Sequence, residues 1–170
     1  IPLPQGETVG GSTTINSGTC FRIPQYVSDK FEKAQIGLST QVLAPHYDAV
    51  EHRLSVQPVA PGLLGGSSTV IAKGAAALGL EHGPLNRNIR GCARSGQCAF
   101  GCPRAAKQAM HLTYLPDALA NGATLYAGTK ANRIVFHGNR AIGVEVTPVG
   151  GGETVVLNAD VVVSSCGTIR

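Results

Sequence analysis

The stretch Val9-Gly10-Gly11-Ser12-Thr13-Thr14-Ile15-Asn16-Ser17-Gly18-Thr19-Cys20-Phe21-Arg22-Ile23-Pro24 is the one on which the reading of this chain turns. Glycine lets backbone amides come close to an anion and reaches dihedrals closed to other residues. Ser12, Asn16, Ser17 and Thr19 add side-chain hydrogen-bonding groups. Such a stretch suits a pyrophosphate or the polar edge of a ring. Taken by composition alone, the same residues describe a polar surface loop at least as well.

Working outward, residues 45–54 read as a short helix, with Pro45 in a first turn and Tyr47, Val50 and Leu54 at helical spacing. Residues 67–80 read as another, capped by Ser67 or Ser68 and ending near Gly79. A third is expected over 105–120, closed by Asn121-Gly122, with a kink or break at Pro116. From residue 123 the period changes to that of strands. Leu125–Ala127 comes first. Arg133–Phe136 and Ala141–Val146 follow, joined through His137-Gly138-Asn139. After the Gly150-Gly151-Gly152 turn comes Thr154–Leu157. A last strand is expected over Asp160–Ser164. Its Val161-Val162-Val163 run is continuously apolar, as in a parallel sheet buried on both faces.

Between the helices, residues 83–103 lack periodicity and hold Cys92, Cys98 and Cys102; Cys20 and Cys166 bring the total to five. An odd number with three clustered is unlike a secreted disulfide framework and fits a reducing compartment, the cytoplasm before a secreted location. Thiolates also suit iron–sulfur clusters, but the spacing is not that of a zinc finger, and free cysteines most often pack as small apolar groups. His46, His52, His82, His111 and His137 lie in no triad-like or metal-like context.

The 170 residues are 43% hydrophobic and 14% charged, enough for a core and about the length of one domain. The net charge of +4 comes from scattered Lys and Arg, which leaves no nucleic-acid footprint. It suits a pyrophosphate or ordinary solubility equally. No apolar run is long enough to span a membrane. The sequence opens without Met at Ile1-Pro2-Leu3-Pro4 and stops at Cys166-Gly167-Thr168-Ile169-Arg170, so both ends read as cut.

Taken whole, the 9–24 stretch resembles the glucose-methanol-choline (GMC) family of FAD oxidoreductases, with Ser17 where a Gly is often found. The segment Gly91-Cys92-Ala93-Arg94-Ser95-Gly96-Gln97-Cys98-Ala99-Phe100-Gly101-Cys102-Pro103, leading into Ala106-Lys107-Gln108 and then Tyr114-Leu115-Pro116-Asp117-Ala118 and Gly122-Ala123, is similar to bacterial and long-chain alcohol oxidase-like members. Arg133-Ile134, Arg140-Ala141-Ile142-Gly143-Val144 and Val161–Gly167 match the family's strand set, although most of these residues would be plain sheet core in any reading.

The resemblance implies an α/β fold: a partial, Rossmann-like FAD-binding domain with a β-meander, spanning 1–170. It places the G-x-G-x-x-G unit upstream of Ile1, and the substrate domain with its catalytic His beyond Arg170. It implies FAD contacts at Gly10, Gly11, Ser12, Asn16, Ser17, Gly18 and Thr19, at the backbone of Ala131, and at the Cys166-Gly167 turn. No catalytic residue and no metal ligand is assigned within the chain. The implied activity of the full-length protein is oxidation of an alcohol CH–OH group by hydride transfer to flavin, to an electron acceptor the sequence does not identify. The 170 residues alone are expected to be inactive. The cysteine segment is also similar to one that binds an iron–sulfur cluster in the FAD subunits of certain sugar dehydrogenases. That leaves a sugar or polyol dehydrogenase, or a non-catalytic fragment, as alternatives.

Overall fold

The computed structural model describes residues 5–167. The end residues 1–4 and 168–170, on which the reading of cut termini rests, lie outside the described residues. Within the chain are two compact units, one running to Ala123 and the other beginning at Thr124.

In the first unit, the 9–24 stretch makes a single 3-10 turn over Gly11–Thr14 and is otherwise loop. It leads into helix α1, Gln25–Lys33, which the sequence reading does not anticipate. Helix α2 spans Thr40–Arg53, starting five residues before the expected boundary. The reason is Ser39, whose hydroxyl accepts from the Val42 amide at 3.2 Å and caps the helix. Pro45 therefore stands inside the helix rather than in its first turn, and the Gln41 carbonyl loses its usual partner. Helix α3, Gly66–Ala77, is capped by Gly65 without a side-chain bond, so neither Ser67 nor Ser68 serves as the cap.

Strands β1, Val56–Pro58, and β2, Asn86–Asn88, pair antiparallel. Beyond β2 the pairing continues irregularly: Ile89 bridges Lys107, Arg90 donates to the Ala106 carbonyl and Gln108 to that of Asn88. This pairing replaces the first part of the helix expected over 105–120. Residues 106–108 pair their backbone with 88–90, and this long-range pairing overrides the helix propensity of Ala-Lys-Gln-Ala. A 3-10 turn at Met110–Leu112 follows, then helix α4, Tyr114–Ala120. The break expected near Pro116 falls at Thr113, which puts Pro116 in the first turn of α4, where a missing amide is harmless. Asn121 and Gly122 (φ +87°) end the helix, and the Ala123 amide returns to the Ala118 carbonyl.

The second unit is an antiparallel meander of β3, Thr129–His137, β4, Arg140–Pro148, and β5, Val155–Asn158. Gly138 (φ +59°) and Asn139 form the two-residue β3–β4 turn. The mixed helix-and-strand architecture with its meander is the one the sequence led us to expect. Two strands are corrected. Leu125–Ala127 is not a strand, and neither is Asp160–Ser164. Val161 and Val163 are 78% and 80% exposed and pair with nothing among the described residues. A valine run favours extended backbone, but a strand exists only where a neighbour takes its hydrogen bonds.

At Gly143, a Cβ would collide with the Leu157 carbonyl across the β4–β5 ladder. Gly143→Ala is therefore expected to detach β5, at a cost of about 2 kcal/mol. Hydrogen exchange would show it as lost protection in 155–158 with β3–β4 protection retained.

Candidate cofactor loop and the chain's family

The core of the first unit is unusually polar. Ala106 and Ala109 are buried, and with them Asn88, Lys107, Gln108 and Thr113. This buried strip is what holds the 10–19 loop. Thr13 donates its hydroxyl to the Gly10 carbonyl at 2.5 Å and accepts the Met110 amide at 3.1 Å. Gly10 (φ +93°) lies so close to His111 that a Cβ would come within 3.2 Å of the His111 amide nitrogen.

Lys107 is the centre of the arrangement. Its ammonium donates to the carbonyls of Thr14 (2.8 Å), Asn16 (2.6 Å) and Cys98 (2.7 Å), and lies 3.4 Å from Asn16 Oδ1. It is 2% exposed, and burial pulls its pKa below that of an ordinary lysine. One side chain thus ties the glycine-rich loop to the cysteine segment. Arg87 adds a second tie by donating to the Ser17 carbonyl. The loop closes on itself through Asn16 Oδ1, which accepts the Gly18 amide at 3.0 Å, and through Ser17 and Thr19, whose hydroxyls meet at 3.1 Å. At its exit, Arg22 forks onto Glu51 (2.9 and 2.5 Å) and reaches Asp48 (2.5 Å), fastening the segment after the loop to α2. The hydrogen bond from Arg22 holds the Glu51 carboxyl below the usual carboxylate range.

The loop has two faces. Gly18 is buried against Asn88 and Lys107, while Ser12, Asn16 and Ser17 are exposed. A Cβ on Gly11 (φ +55°) would meet open space, while Gly6 packs on the Gly11 carbonyl and its amide donates to the Ser12 hydroxyl at 3.3 Å. The Asn16 carbonyl turns inward to Lys107, and the amide of the same trans peptide unit, that of Ser17, turns the other way.

The structure thus gathers Gly10, Gly11, Ser12, Asn16, Ser17, Gly18 and Thr19 into one built loop. Ala131, Cys166 and Gly167 belong to the second unit. Ala131 pairs with Val146 on β3 next to a register shift, and its residue is exposed. Cys166 and Gly167 (φ +100°) are exposed as well. The sequence reading quotes Lys107 only in passing and misses Arg87 as a site residue. The available signal is a lysine set in Ala106-Lys107-Gln108-Ala109, two residues beyond Cys102-Pro103.

All five cysteines are free. Cys92, Cys98 and Cys102 are not brought together as a cluster site: among the described residues no group of three or more His, Cys, Asp or Glu side chains is placed to hold a metal ion. Cys102 differs from the rest. Burial pushes its thiol up, but the backbone amides of Lys107, Arg104 and Ala106, with the Lys107 charge, outweigh that and bring its pKa below the ordinary value. Burial raises the Cys20 thiol instead. At neutral pH iodoacetamide is expected to alkylate Cys102 faster than Cys20. Peptide mass spectrometry reads that ratio, and equal rates would contradict the opposite shifts of the two thiols.

The family model for GMC oxidoreductases matches residues 1–170. The chain belongs to the GMC oxidoreductase family. An uncharacterized GMC-type oxidoreductase of Mycobacterium tuberculosis is 37% identical over 98% of this chain and 27% of its own length. Another from Sinorhizobium fredii is 31% identical over 91% of this chain and 31% of its own. A long-chain-alcohol oxidase of Arabidopsis thaliana is 32% identical over 98% of this chain and 24% of its own. The chain therefore spans about a quarter of the length of the curated relatives it matches. No solved structure matches it significantly. Among the described residues, no helix of this GMC chain is long and apolar enough to cross a membrane.

Proposed function

We propose that this chain supplies part of the FAD-binding half of a GMC oxidoreductase that oxidises the CH–OH group of a small-molecule alcohol. The 10–19 loop would seat the dinucleotide. The observation that carries the reading is the loop's two-faced construction: its carbonyls at Thr14, Asn16 and Ser17 are turned inward to Lys107 and Arg87, while Ser12, Asn16 and Ser17 are exposed. That face fits a pyrophosphate or a ring edge, because it offers donors on a surface with little side-chain bulk. Bound FAD supplies the hydride acceptor. The residues of this chain bind and orient it; they are assigned no proton transfer. By the family resemblance, a His base beyond Arg170 takes the alcohol proton. Ala131 and the Cys166-Gly167 turn are proposed as backbone contacts to the same cofactor. The alcohol oxidase relatives support an alcohol as substrate, and nothing in the placement of Cys92, Cys98 and Cys102 favours the iron–sulfur dehydrogenase over it.

Asn16→Leu tests the loop. Its amide nitrogen is the group offered to the ligand, while its oxygen holds Gly18. Removing both leaves ligand groups unpaired and is expected to weaken FAD binding by about 1–3 kcal/mol. Flavin titration of the full-length variant measures this. Unchanged affinity would remove the loop from the site.

A further inference from the structure

Lys107 presents a charge without a counterpart. Its three N–H donors go to carbonyl oxygens, and among the described residues no carboxylate lies within ion-pair distance of it or of Arg87. The other titratable groups facing Lys107 are the Cys98 and Cys102 thiols and the Arg87 guanidinium, and no thiol is among its hydrogen-bond partners. A buried cation is costly unless an anion completes the site, since carbonyl dipoles satisfy its donors but not its charge. Next to it, Asn88 Oδ1 and Arg87 Nε are buried with no partner, a further sign of a polar strip that this chain leaves incomplete. All of these groups underlie the 10–18 loop, whose Ser12, Asn16 and Ser17 are exposed.

We propose that Lys107 is the internal counter-charge for an anionic group of the ligand seated on the 10–18 loop. The proposal rests on the FAD reading above. Two parts of FAD carry the required chemistry: the pyrophosphate, anionic in every redox state, and the flavin ring, anionic when reduced. The charge acts from beneath the loop, through peptide units whose carbonyls it holds inward and whose opposite ends meet the ligand. Lys107 is thus a positioning residue and touches no substrate.

The test uses the full-length protein stripped of flavin. Lys107→Met and Lys107→Arg are compared with wild type for FAD affinity, by flavin fluorescence, and for flavin midpoint potential. Lys107→Met is expected to lose at least about tenfold in affinity, and Lys107→Arg, which keeps the charge, to stay within about threefold. A loss of affinity with unchanged potential assigns the pyrophosphate. A potential made more negative in Lys107→Met and restored in Lys107→Arg assigns the reduced ring. If a folded Lys107→Met matches wild type in both measurements, the proposal is wrong. It is equally wrong if Met and Arg lose affinity alike with no change in potential, because Lys107 then merely stitches the loop. Wild type that binds no FAD defeats the parent reading, and this one with it; wild type that binds FAD while Lys107→Met behaves normally defeats this one alone. Should Lys107→Met not fold, the wild-type holoprotein structure decides. A ligand anion within about 8 Å of Nζ supports the assignment, and a nearest anion farther away overturns it.

Discussion

Gly18→Ala is expected to be the most damaging single change in the cofactor loop, destabilising the first unit by about 3 kcal/mol. Two effects add. Gly18 has φ +73°, a left-handed conformation that costs alanine about 1–2 kcal/mol. The new Cβ would also stand 2.7 Å from Asn88 Oδ1 and 3.2 Å from Lys107 Cδ. Neither neighbour can yield cheaply. Asn88 is buried with its amide nitrogen bound to the Gln108 carbonyl at 3.0 Å, and Lys107 is fixed by its three carbonyls. Relief therefore means pushing the loop outward and breaking the Lys107 contacts. Urea unfolding of the full-length apo-protein, followed by flavin titration, should show lower stability and lower FAD affinity together. A Gly18→Ala protein as stable as wild type would mean that the loop is not clamped from below.

A second large effect is expected from the 170 residues expressed alone: they should bind 1-anilinonaphthalene-8-sulfonate, associate in solution and show no turnover with primary alcohols and a dye acceptor. Among the described residues the buried hydrophobic ones are few: Leu54, Ile89, Ala106, Ala109 and Val146, two of them alanines. Meanwhile Phe100 is 87% exposed, Phe21 77% and Leu78 76%, and α3 leaves Val70 and Ile71 uncovered. A surface carrying this much apolar area buries it against something or aggregates. Static light scattering and the dye assay are direct. A monomeric, cooperatively unfolding fragment with micromolar flavin affinity and measurable turnover would contradict both the stability argument and the placement of the reaction's base outside the chain.

The parts of this fold legible in the sequence are those fixed locally. The Gly138-Asn139 turn, the Asn121-Gly122 helix stop and the strands over Arg133–Phe136 and Ala141–Val146 are short-range signals, and the structure has them where they are expected. What went astray was decided by partners distant in sequence. Residues 106–108 have good helix formers but form no helix, because Asn88, Ile89 and Arg90 pair with them. Val161–Val163 has good strand formers but no neighbour. α2 begins at Thr40 because Ser39 caps it, whereas the local pattern sets Pro45 in a first turn. The loop itself was readable as a site only by family resemblance, since its composition equally described a surface turn. Lys107 was hidden for a different reason. A lysine in sequence gives no sign of burial, and its role appears only once the chain brings residue 107 beneath residues 14 to 18.

The most direct test of the central claim is the visible absorption spectrum of the purified full-length protein, with its released flavin quantified. The account predicts flavin bands alone, with FAD at about one per chain. A colourless protein that takes up no added FAD would contradict it. So would broad iron–sulfur absorption beneath the flavin bands, which would place a cluster where Cys92, Cys98 and Cys102 form no metal-holding group.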